Sequence, residues 1–176
     1  MNKKHLSYII YGVDAIILIA LDQLVKLWAI ANLQGQPVRP LIRGFLHLTY
    51  LENTGIAFGL LSGFGGAQVL FSVVKLALLA LVIIYFFKLP QEPRFTLLRV
   101  PLLLIFAGGI GNLIDRVRLG GVVDMLAFSF FDFPVFNIAD IYVTTGAFLF
   151  AIIVLFVVKD APFFGTTEKK TEKKNG

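Results

Sequence analysis

The 176 residues include no cysteine, two histidines and one tryptophan, and only 15% of them are charged. Without cysteine there is no disulfide, no thiolate nucleophile and no Cys-ligated metal. The two histidines are His5, in the N-terminal tail, and His47, in a strand-like stretch, which argues against a Ser-His-Asp triad. No H-E-x-x-H zinc motif and no phosphate loop ending in G-K-[ST] occurs, and no internal repeat is visible.

Apolar surface is abundant instead. Hydrophobic residues make up 57% of the chain, and the mean hydropathy is +0.83. Several runs reach the roughly 20 residues that cross a bilayer. The sequence therefore predicts an all-α polytopic membrane protein with spans over about 8–30, 67–87, 100–119 and 138–158. The first run contains an A-x-A pattern, Ala29-Ile30-Ala31. It is too long for a signal peptide and carries Asp14, Asp22 and Lys26, so it reads as an uncleaved helix. Residues 1–160 form one domain, and the Lys-rich tail 161–176 lacks apolar periodicity and is expected to be disordered.

Four spans put both termini on one side. Lys3, Lys4, Lys88, Arg94, Arg99, Lys159, Lys169, Lys170, Lys173 and Lys174 would share that side, against Lys26, Arg39, Arg43, Arg116 and Arg118 on the other. The positive-inside rule makes the first side cytoplasmic. The net charge of +5 thus speaks for topology rather than for a nucleic-acid partner. Between the first two spans, residues 31–66 suggest an extracytoplasmic platform. "FLHLTYLEN" alternates like a strand, with Leu46, Leu48 and Tyr50 on one side, and "NTGIAFGLLSGFGG" reads as a short surface helix or loop.

Two polar pairings lie within the spans. Asp14 and Lys75 sit at similar depth, about 12 Å inside their helices, and are expected to pair. Ser72 and Lys75, at i and i+3, offer the weaker alternative of a Ser–Lys nucleophile and base.

The remaining polar residues gather at the outer face. Asp22 and Lys26 are spaced for a local i,i+4 ion pair. Gly108, Asn112 and Asp115 share a face of the third span, a pattern suited to close helix packing, with Arg116 beside them. Asp132, in "FFDFPVF", reads as a solvated loop residue. Asp124 follows "GGVV" just beyond the third span, and Asp140 lies in the first turn of the fourth. Asp140 alone could be an ordinary N-terminal aspartate favoured by the helix dipole. The short connection turning at Pro134 also lets the two carboxylates approach. A pair in contact shares a proton, so one member can activate water while the other donates to a carbonyl.

In chain order the motifs are "DQLVK" (22–26), "ENTGIAFG" (52–59), "GGIGNLIDRV" (108–117), "GGVVDML" (120–126) and "FNIAD" (136–140). Each is weak alone. Together, on four spans, the set resembles the lipoprotein signal peptidases, or signal peptidase II, over roughly residues 22–159. The resemblance implies an aspartic endopeptidase of the bacterial cytoplasmic membrane with four transmembrane helices. It implies a catalytic dyad of Asp124 and Asp140, with Asp22, Lys26, Asn53, Gly55, Asn112, Arg116 and Asn137 as further site residues. The implied substrates are prolipoproteins already modified by prolipoprotein diacylglyceryl transferase, cut just before the lipidated cysteine. Globomycin-type inhibitors would occupy the same cleft. No metal or organic cofactor is expected, membrane lipid is the surrounding partner, and a monomer suffices. Two other classes compete: a small proton-coupled transporter and a structural tetraspan protein. A relay would spread ionisable groups across the bilayer, whereas here they cluster at one face.

Overall fold

A computed structural model describes residues 3–54 and 67–158, with side chains over 5–54 and 73–158. The elements run α1 (Lys3–Leu33), β1 (Arg39–Ile42), β2 (Leu46–Asn53), α2 (Ala67–Lys88), α3 (Pro93–Thr96), α4 (Arg99–Leu119), β3 (Val122–Phe128) and α5 (Ile138–Phe156). Among the described residues, three segments are long and apolar enough to cross a membrane: His5–Leu33, Pro93–Leu119 and Ile138–Phe156. Between their ends, their outward faces carry leucine, isoleucine and phenylalanine rather than charge, as a hydrocarbon surround requires. The fourth expected span coincides with α2, whose first-turn side chains lie outside the described residues.

Helix α4 is the hub and packs against α1, α2 and α5. Small residues let α4 and α5 approach closely. A Cβ on Gly108 would run into the Ala139 carbonyl, and one on Gly146 would meet the Pro101 carbonyl at 2.7 Å. Far from the sheet, Leu89, Phe95, Leu98, Leu102 and Val158 form a core cluster. There Arg99 is buried and donates to the carbonyls of Leu89 (2.8 Å) and Pro90 (3.2 Å), closing the short α3 corner.

The expected strand is present as β2, and Leu46, Leu48 and Tyr50 do point to one packed side. The platform is larger than residues 31–66, because β3 joins it. The sheet is antiparallel in the order β1-β2-β3. Strand β3 escapes an alternation test because Val122 to Leu126 are buried on both faces. Gly120 ends α4 at φ 79°, and Gly121 runs so close to β2 that an added Cβ would lie 3.1 Å from Glu52 Cγ. Val123, Met125 and Leu126 then pack on Ala29 and Leu33, seating the sheet on the end of α1. The surface-helix expectation for 55–66 and the tail 161–176 lie outside the described residues.

The expected Asp14–Lys75 pair is not formed. The ion pairs among the described residues are Lys26–Asp22, Lys26–Asp115 and Arg94–Glu92. Equal depth along two helices does not make them face each other. Here α4 packs against both α1 and α2, and Lys75 opens into a cleft with Arg116 and Asp140. The Ser72 side chain lies outside the described residues.

Candidate active site

Asp124 sits near the start of β3, where Leu51 is its partner on β2, and its residue is 2% exposed. The chain then turns through residues 129–135 and returns. Phe136 bridges back to β3: its carbonyl accepts from Leu126 N–H (2.8 Å), and its own N–H donates to the Leu126 carbonyl (2.9 Å). This closure delivers Asn137 and the start of α5 beside Asp124.

Asn137 is the N-cap of α5, with extended backbone (φ −134°, ψ −177°). Its Oδ1 accepts from Asp140 N–H at 3.0 Å, and the Asp140 Oδ2 accepts from Asn137 N–H at 3.2 Å, completing a capping box. The Asn137 Nδ2 donates to Asp124 Oδ1 at 2.6 Å and to Asn112 Oδ1 at 3.1 Å. One asparagine thus joins both aspartates. Asn53, the last residue of β2, donates to Asp124 Oδ2 at 3.0 Å. Asn112, on α4, donates to Asp140 Oδ1 at 2.8 Å.

Burial is the main force on Asp124 and lifts its carboxyl from 3.8 to about 6. The amide donors of Asn53 and Asn137 pull it down, the charge of Asp140 pushes it up, and Lys26 lowers it slightly. A carboxyl poised near neutrality beside a second carboxylate is suited to proton transfer.

Behind this pair lies a buried charge knot. Lys26 uses all three ammonium protons: on Asp22 Oδ2 (3.0 Å), Asp115 Oδ2 (2.9 Å) and Asn112 Oδ1 (2.9 Å). Asp22 Oδ1 accepts the orphan N–H of Ala139 at 3.0 Å, so a carboxylate from α1 caps α5. Asp115 Oδ2 accepts from Val123 N–H at 3.1 Å, fixing β3 to α4. Gln23 Nε2 reaches Asp115 Oδ1 (3.0 Å) and the Gly111 carbonyl (3.1 Å). Gly111 has no room for a Cβ, which would strike Asp22 Oδ2.

In front lies a cleft of about 470 Å³. Asp124, Asp140, Asn53, Asn112, Arg116 and Lys75 supply its polar wall. Leu76, Leu79, Ile105, Leu113 and Val143 supply an apolar one between α2, α4 and α5. The arrangement can hold an apolar chain with its polar end against two carboxyls. Among the described residues no cluster of three or more metal-ligating side chains occurs.

Residues 15–156 match the sequence model of the signal peptidase (SPase) II family. The lipoprotein signal peptidase of Streptococcus pyogenes serotype M2 (strain MGAS10270) is 40% identical over 144 residues, covering 81% of this chain and 91% of that one. The lipoprotein signal peptidase of serotype M5 (strain Manfredo) gives the same figures. The chain belongs to the signal peptidase II family. Two solved structures agree. A bacterial membrane enzyme determined by the in meso method at 1.9 Å resolution superposes with a TM-score of 0.73 at 32% identity, over 83% of this chain and 92% of that one. Another, at 2.3 Å, gives 0.67 at 31% identity, over 92% and 94%. As a signal peptidase II family member the chain is a peptidase, and its apolar helices make it a multi-pass membrane protein.

Within this family member, the residues picked from sequence fall into two layers. Asp124, Asp140, Asn53, Asn112 and Arg116 line the cleft. Asp22, Lys26 and Asn137 do not line it; they are buried behind its wall. Gly55 lies outside the described residues. Asp132 is exposed on its loop, as expected. The sequence reading missed Gln23 and the role of Gly111. A glutamine beside Asp22 within an apolar helix, and a glycine one residue before Asn112, were the available signals.

Proposed function

We propose that this chain is an intramembrane aspartic endopeptidase that removes the signal peptide from diacylglyceryl-modified prolipoproteins, cutting before the lipidated cysteine. The observation that carries the reading is the joining of Asp124 and Asp140 through Asn137 at the polar end of an apolar cleft. Family membership supports the substrate class.

In this mechanism one carboxylate takes a proton from water as the oxygen attacks the scissile carbonyl. The other, protonated, gives its proton to the carbonyl oxygen, forming a neutral tetrahedral diol. Collapse breaks the C–N bond, and the leaving amine takes a proton from the dyad. The shared-proton state belongs to the pair rather than to either aspartate. Asn53, Asn112 and Arg116 face the cleft and would position peptide carbonyls without acting as acids. Asp22, Lys26 and Asn137 hold the dyad's frame rather than touch substrate. Gly55 stays a proposed substrate contact on the family resemblance.

The topology follows the same reading. Residues 1–160 form the protease domain with four spans, α2 being the fourth. Both termini are cytoplasmic, and the dyad lies at the extracytoplasmic face, where a membrane-anchored signal peptide ends. The protein works as a monomer, and globomycin-type inhibitors compete in the cleft.

The test is cleavage of a diacylglyceryl-modified prolipoprotein by purified protein. Asp124→Asn and Asp140→Asn each lose roughly 10²-fold or more of kcat, while Asp132→Asn keeps wild-type activity. Full activity in either dyad variant would end the aspartic mechanism. Arg116→Ala with unchanged kcat/KM would remove Arg116 from the site. A folded wild type that cuts nothing would favour the transport or structural readings.

A further inference from the structure

The loop "FSFFDFPVF" carries a second feature that hydrolysis does not use. Phe45, Phe128, Phe130, Phe131, Phe133 and Phe136 form a continuous ladder of rings. Phe128 stacks on Phe131 (5.0 Å, 23°), Phe45 on Phe130 (5.4 Å, 17°), and Phe133 meets Phe136 at 6.0 Å. Phe130 is 60% exposed, Phe131 46% and Phe133 47%. So many exposed rings in one place mark a contact surface rather than chance exposure.

The position of the ladder identifies what covers it. Phe136 immediately precedes the N-cap of α5, whose apolar span starts at Ile138. The ladder therefore lies at the level where the hydrocarbon-crossing segment begins. On α1, the exposed Trp28 stands near the same end of the bundle, where aromatic side chains gather at a bilayer interface. Phe136 packs on the buried cluster of Ala29 and Leu33 of α1, which ties the ladder to the end of a spanning helix. Exposed Ile42, which ends β1, accepts a hydrogen bond from the N–H of Phe45 at 3.0 Å and so stands next to the ladder in the chain. The loop's one charge, Asp132, is exposed.

We propose that this phenylalanine ladder inserts into the outer leaflet of the membrane and anchors the sheet there. Phe128 ends β3, the strand that carries Asp124 four residues earlier, and Phe136 is hydrogen-bonded to Leu126 of that strand. The anchor thus fixes the depth of Asp124 relative to the lipid surface. The partner is the glycerol and upper acyl region of bilayer lipid. The anchoring itself does not depend on the proposed activity; its consequence for cleavage rests on that reading.

The experiment places a single tryptophan at position 130 or 131 in a Trp28→Phe background, reconstituted in phosphatidylcholine vesicles. Blue-shifted emission, quenched more by lipids labelled high on the acyl chain than by lipids labelled at its end, is expected. Water-like emission without lipid quenching would overturn the anchor. Shielding from lipid quenchers that grows with the protein-to-lipid ratio would overturn it in favour of a contact between copies. A second arm compares Phe130→Ser/Phe131→Ser with wild type. Cleavage falls about tenfold in vesicles, the scale set by losing part of two rings' transfer energy, and is unchanged in detergent micelles. Equal losses in both media would mean that the rings only support the fold. A wild type inactive in both would count against the protease reading alone, since the fluorescence still decides the anchor.

Discussion

The side-chain amide of Asn137 donates to Asp124 at 2.6 Å while its carbonyl oxygen caps the N–H of Asp140 at 3.0 Å. One buried residue therefore sets both the start of α5 and the relation between the two carboxylates. These two duties can be separated. Both Asn137→Ser and Asn137→Ala lose the buried amide donor, but the serine keeps a capping oxygen and should be about 1 kcal/mol the more stable of the two. Both should lower kcat by roughly tenfold or more, because neither supplies the amide donor to Asp124. Thermal unfolding in detergent and cleavage kinetics check the two halves.

Asp124 gives the site a pH dependence of defined sign. Its carboxyl is raised to about 6, chiefly by burial. The folded protein therefore holds this proton where the unfolded chain has lost it. The stability linked to the group is full below about 4 and declines as pH rises through about 6. Asp124→Asn lacks this loss, so its unfolding temperature relative to wild type should climb across that window. If the dyad works with one proton, kcat/KM should fall on the alkaline side with an apparent pKa near 6. Asn53→Ala removes a donor to the carboxylate and should move that limb upward. A limb that moves downward would contradict the assignment.

Lys26 is 2% exposed and touches two buried carboxylates. Lys26→Met strands both charges and should cost about 3–5 kcal/mol, with a reduced folded yield. Adding Asp22→Asn removes one stranded charge and should restore part of the loss. Melting temperatures of the single and double variants decide it. Equal melting of Lys26→Met and wild type would show that the knot carries little stability.

Gly108 lies where α4 meets the Ala139 carbonyl of α5. Gly108→Ala should force the helices apart, costing about 1–3 kcal/mol. It should also lower kcat, because Asn112 and Asp140 sit across the same seam. Gly12, whose Cβ would meet nothing within 4 Å, is the control: Gly12→Ala should leave activity unchanged and, as a helix-interior glycine replacement, raise stability by up to about 1 kcal/mol.

Apolar run length was enough to locate the helices, because only a helix satisfies its own backbone in hydrocarbon. Residues 8–30, 67–87, 100–119 and 138–158 became helices Lys3–Leu33, Ala67–Lys88, Arg99–Leu119 and Ile138–Phe156. Alternation was enough for β2, which packs one face, but not for β3, which is buried on both. Local spacing also predicted the Asp22–Lys26 pair and the first-turn position of Asp140. Pairings across the chain were beyond it. Asp14 and Lys75 matched in depth and do not meet, because depth carries no information about which faces oppose. Only the packing of α4 among α1, α2 and α5 decided that Lys26 serves Asp115 and Asn112, that Asp22 caps α5, and that Asn137 stands between Asp124 and Asp140. A linear sequence states which groups are costly to bury; only the tertiary arrangement decides which partner offsets each cost.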